Sequence, residues 1–92
     1  MTDAAALRAI DRLRAEIALL RDRLGDAAGL LEERSQGVLL AETPLADHEY
    51  RLARRAYDRV QQRLAELEVE LEGLMLEHQG VSEVAGPGRR AG

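Results

Sequence analysis

Cysteine, tryptophan, phenylalanine and lysine are all missing from this 92-residue chain, and two tyrosines are its only aromatic residues. The lack of cysteine removes disulfides and thiolate chemistry, which excludes a stapled secreted scaffold and a thiolate zinc site. No lysine is present to serve a phosphate-binding loop, and no glycine-rich loop of that kind occurs. Long apolar runs are absent too, because charges recur every few residues, so the sequence predicts no membrane span. The start, Met1-Thr2-Asp3-Ala4, lacks the basic and apolar segments of a signal peptide, and a cytoplasmic protein is expected.

What is present is aliphatic and periodic. Apolar residues make up 46% of the chain and aromatic residues 2%, a balance that suits long helices better than a compact globule. Residues 6–31 carry a three-four repeat of Ala6, Ile10, Leu13, Ile17, Leu20, Leu24, Ala27 and Leu31. Residues 50–81 carry another, Tyr50, Ala53, Tyr57, Val60, Leu64, Leu67, Leu71, Leu74, His78 and Val81. Each repeat lays one apolar seam along a helix, with the seam residues at positions a and d of a heptad.

Folding the second repeat back on the first matches the seams in layers whose residue numbers add to 84: Ile10 with Leu74, Leu13 with Leu71, Ile17 with Leu67, Leu20 with Leu64, Leu24 with Val60, Ala27 with Tyr57, Leu31 with Ala53. The constant places the reversal near residue 42, within the turn-rich stretch from Ser35 to Pro44. The expected fold is therefore all-α, an antiparallel helical hairpin of one domain over 1–80: a helix over about 3–34, a bend over 35–44 and a helix over about 45–79, followed by a flexible tail, 81–92. Asp3 suits an N-cap, Gly37 a stop for the first helix, Thr43-Pro44 a start for the second and Gly80 its end.

Charge favours the same arrangement. The first helix begins with Arg8, Arg12, Arg14, Arg21 and Arg23, and the second ends with Glu66, Glu68, Glu70, Glu72 and Glu77. Individual flanking pairs are less tidy: Arg14 is expected opposite Glu68, but Glu16 falls opposite Glu70 and Arg23 opposite Arg63. Exposed pairs contribute only about 0.2–1 kcal/mol each, so the apolar layers set the register.

Catalytic groupings are wanting. His48 and His78 fall at opposite ends of the hairpin, Ser35 and Ser82 have no base nearby, and His48 between Asp47 and Glu49 is a cluster by composition only, since helical neighbours point in different directions. The reading is of a non-catalytic protein without metal or cofactor. Net charge is −4, and 13 arginines alternate with acids along the chain. This alternation argues against direct nucleic-acid binding, for which Arg51, Arg54, Arg55 and Arg59 form the best local cluster, with Arg51, Arg55 and Arg59 on one helix face.

Two features exceed what a lone hairpin needs. Leu19, Leu30, Leu52, Met75 and Leu76 lie outside the seam and are candidates for an interface with a second copy, closing a four-helix bundle as a homodimer or larger oligomer. Val38-Leu39-Leu40, in the bend, is expected to fold back and cap the core.

The stretch from Leu45-Ala46-Asp47-His48-Glu49-Tyr50 to Arg63-Leu64-Ala65-Glu66-Leu67-Glu68 resembles the N-terminal coiled coil of the Gre transcription elongation factors and their nucleoside-diphosphate-kinase-regulator relatives. That resemblance implies a hairpin that enters the secondary channel of RNA polymerase, with Glu42, Asp47, Glu49 and Tyr50 at the partner-binding tip. In the family, acidic tip residues help hold a metal for transcript cleavage. Here the matching positions are Thr43 and Ala46, and the family's second domain has no counterpart, so the resemblance implies a channel-binding regulator rather than a cleavage factor.

Overall fold

Thr43 and Pro44 start a helix as their chemistry requires. In the computed structural model, which describes residues 3–84 and only the backbone of 80–84, the Ala46 amide donates to Thr43 Oγ1 at 3.1 Å and the Asp47 amide donates to the Thr43 carbonyl at 3.0 Å. Threonine is thus the N-cap, and proline occupies the first helical position, where its missing N–H is not needed. Asp47 in the first turn complements the positive helix end.

The chain comprises α1 (Asp3–Ala41) and α2 (Pro44–Val84), packed against each other along a rod with extents of 66 × 29 × 14 Å. Only Glu42 and Thr43 separate them. Glu42 takes the left-handed conformation at φ 49°, and its amide donates to the Val38 carbonyl at 2.9 Å, closing α1. Glycine is the usual residue for that conformation; here a glutamate adopts it. The turn falls at half the constant sum of 84, where the layer pairing places it.

The buried core contains Leu13, Ile17 and Leu20 from α1 and Leu64 and Leu67 from α2, with Leu24, Val60, Leu71 and Leu74 packed around them. Every one belongs to the expected seams. Ile10 and Ala53 are also buried. Burial is uneven along the rod: towards the turn Ala53 is the one fully buried residue, whereas Leu24, Ala27, Leu31, Tyr57 and Val60 are half-buried.

The expected helix ends require correction. Neither Gly37 nor Gly80 stops a helix: α1 continues seven residues beyond Arg34, and α2 begins one residue before Leu45 and continues to Val84. No described glycine has positive φ, so Gly37 is used as an ordinary helical residue. The reason is that the heptad persists through the supposed bend. Arg34 and Val38 occupy the next d and a positions, across from Tyr50 and Ala46, and all four are half-buried. Packing of this kind outweighs the roughly 1 kcal/mol that one interior glycine costs a helix. Of the supposed flexible tail, 81–84 continue α2, and 85–92 lie outside the described residues.

Val38-Leu39-Leu40 is likewise not a cap. Val38 enters the seam, but Leu39 is 76% and Leu40 87% exposed. Their helical positions, b and c, turn them away from the partner helix.

Flanking ion pairs are displaced by one heptad from those expected. In an antiparallel pair the e positions of the two helices share one flank and the g positions the other. Arg21, at e, pairs with Glu68 at 3.0 Å; Glu16, at g, pairs with Arg63 at 3.9 Å. Arg14 turns to Met75 Sδ at 3.8 Å instead of to Glu68. These e pairs have numbers adding to 89 and the g pair to 79, straddling 84. The longer diagonal replaces the repulsive pairing of Glu16 with Glu70 and of Arg23 with Arg63 by an attractive one, and the flexible side chains can span it.

Candidate protein-contact face and hairpin tip

The four residues of the expected tip do not converge on one site. Glu42 sits exposed at the reversal. Asp47 is held by an ion pair of 2.7 Å to Arg51, one turn further along α2. Tyr50 lies in the seam and lines a shallow depression with Ser35, Val38, Leu39 and Asp47. Glu49 turns to the other side, into a groove with Leu30, Arg34, Leu52, Ala53 and Ala56. Adjacent helical residues point about 100° apart, so a tight run of sequence cannot form a tight cluster on a helix.

Among the described residues no three His, Asp or Glu side chains are grouped to hold a metal ion. His48 is exposed near the turn and His78 half-buried at the far end of the rod. The guanidinium of Arg54 is pushed above its usual value by Tyr50 and then Asp58, to which its Nε donates at 3.3 Å. An arginine is already cationic across the accessible pH range, so this shift supplies no acid or base. The arginine cluster is partly neutralised, because Arg51 is engaged with Asp47 while Arg55 and Arg59 stay exposed.

The five leucine and methionine candidates for an interface divide into two sets. Leu19 and Leu52 at position c and Leu30 at g lie on one side of the hairpin, and are 51%, 48% and 41% exposed. Met75 is half-buried on the opposite flank, where it receives Arg14. Leu76, at f, faces outward from the rod. Three further apolar residues join the first side: Ala56 in the groove, and the exposed Leu40 and Leu45 beside the turn. Their shared c and g positions were the available signal, hidden at Leu40 because the sequence predicts a bend over 35–44.

The groove of Leu30, Leu52 and Ala56 is open and holds about 290 Å³, at the lower edge of the roughly 300–1,000 Å³ typical of small-molecule pockets. It is better shaped to receive protruding side chains than to enclose a ligand. Charges flank it unevenly. Glu49 lies towards the turn, with Arg23 and Arg59 on the other side; none of these three makes an ion pair within the hairpin. The opposite flank is largely self-satisfied, through Arg21 with Glu68 and Arg51 with Asp47.

No helix among the described residues carries a stretch long and apolar enough to cross a membrane. No protein-family model, no curated protein and no solved structure matches the chain. The Gre resemblance therefore rests on the residues quoted for it.

Proposed function

We propose that this chain is a non-catalytic helical hairpin that acts by protein–protein contact, in the cytoplasm, through the side of the rod bearing Leu30 and Leu52. The observation that carries this reading is the grouping of exposed leucines on one side of the less buried half, around a groove flanked by Glu49, Arg23 and Arg59, which make no ion pair within the hairpin, while Arg34 at its wall pairs with Glu33 at 3.5 Å. Contiguous exposed apolar surface with a polar rim is the usual mark of a protein contact. The test is a photo-crosslinking residue placed at Leu52, compared with one at Val69, which is 69% exposed on the outward side of α2. Discrete protein adducts are expected from position 52, and these are lost when Leu30→Glu is added. Equal labelling from both positions, or none from 52, sinks the reading.

The 66 Å rod with Glu42 exposed at its reversal favours a second reading, a Gre-like regulator that inserts into RNA polymerase. Glu42 is then the principal tip carboxylate, because Asp47 is engaged by Arg51. Glu42→Ala with Asp47→Ala is expected to abolish binding to purified polymerase while the helical content is retained. Unchanged binding removes the tip from consideration.

A further inference from the structure

The face assigned above to protein contact is complementary to itself. We infer that its occupant is a second copy of this chain, packed antiparallel with each helix on its own equivalent and with the two turns pointing in opposite directions. This rests on the contact reading and adds the partner and the register.

The layers supply the argument. Taking the level of Leu30 as the two-fold axis, α1 residues of the two copies meet in pairs whose numbers add to 60, and α2 residues in pairs adding to 108. Leu30 then meets Leu30 of the second copy. Leu52 meets Ala56, a large residue against a small one within the groove both line. Glu49 meets Arg59, and neither has an ion pair in the hairpin. Asp26, exposed on the same side, meets Arg34 at the groove wall, which within the hairpin pairs with Glu33 at 3.5 Å. Leu19 comes opposite Ala41, within one residue of Leu40, so the exposed leucines at the ends of the face cover each other. Arg23 comes opposite Gly37, where a side chain has space. One choice of axis thus satisfies these apolar and charged pairs together, as an isologous two-fold contact requires.

The same choice accounts for the uneven core. The copies overlap from about residue 19 to the turn on α1, roughly 35 Å at ~1.5 Å per residue. Apart from Leu20 and Leu64 at its edge, that stretch contains Ala53 as its one buried residue, while Leu13, Ile17 and Leu67 of the buried cluster lie further from the turn. Self-association completes the core where the hairpin alone leaves it thin.

The test uses the full chain. Sedimentation equilibrium is expected to give a dimer at micromolar concentration. Glu49→Arg alone and Arg59→Glu alone should each weaken it at least about tenfold, and the two together should restore it, since close interfacial charge pairs are strongly coupled. Because the chain lacks cysteine, Arg8→Cys offers a unique site for a nitroxide on the outer side of α1. Pulsed dipolar spectroscopy should then give about 66 Å between labels, set by twice the ~1.5 Å rise over the 22 residues between Arg8 and Leu30. A monomeric wild-type chain, failure of the double variant to recover, or a label separation under about 30 Å (both turns at one end) overturns the inference. The crosslinking comparison of Leu52 with Val69 stands apart from these outcomes. Adducts to other proteins from a monomeric chain would leave the contact reading in place and dismiss the second copy.

Discussion

Leu67→Ala is expected to unfold most of the protein at room temperature, whereas Leu76→Ala leaves it unchanged. Leu67 is the most completely buried side chain, 1% exposed at the centre of the core cluster, and Leu76 is 59% exposed, facing outward off the proposed contact side. Removing a buried leucine costs about 2–5 kcal/mol, through lost burial and the cavity left behind. A small domain with one core rarely holds more than about 3–5 kcal/mol in reserve. The expected change at Leu76, with little packing to lose, is within about 0.5 kcal/mol. Far-ultraviolet circular dichroism during urea titration measures both. A midpoint for Leu67→Ala close to that of the wild type would mean that the hairpin core does not hold the fold.

The opposite effect is expected from the glycines. Gly25, Gly29 and Gly73 lie within helices, and a Cβ added at any of them meets no atom within 4 Å. Alanine in an exposed helix interior is favoured over glycine by about 0.5–1 kcal/mol, chiefly because the unfolded chain has less backbone freedom to lose. The triple substitution Gly25→Ala, Gly29→Ala and Gly73→Ala should therefore add roughly 1.5–3 kcal/mol, with the contributions nearly additive. For a domain of this size the melting temperature rises by about 6–24 °C. These positions lie outside the pairs that define the dimer axis, so self-association should persist. A fall in melting temperature would show that a neighbouring chain packs against the glycines and needs them small.

Much of this was legible from the order of the residues. The antiparallel hairpin and its layer sum of 84 follow from two apolar repeats, because burial in a two-helix rod can be satisfied along only one seam of each helix. Every member of the core cluster was in that pattern. The start of α2 at Thr43-Pro44 was readable too, since capping is decided by side-chain and backbone chemistry within one turn. The candidate surface was legible only in part. Leu19, Leu30 and Leu52 share a side, but Met75 and Leu76 do not join it, while Leu40, expected in a cap, and Leu45 and Ala56 do.

Helix length, the choice of flanking diagonal and the composition of the exposed face were decided by tertiary packing. Gly37 and Gly80 have the local chemistry of helix ends, yet α1 reaches Ala41 and α2 reaches Val84. A glycine changes a helix by only about 1 kcal/mol, and at Gly37 packing of Arg34 and Val38 against the other helix offsets it. Likewise Arg21 could reach along either direction of its flank, and the position of Glu68 selects one. The period of the apolar residues determines which way the chain folds, because it concerns burial summed over the whole rod. Where each helix stops and which leucines stay in water are balances of about 1 kcal/mol, and they are settled only when the two helices lie side by side.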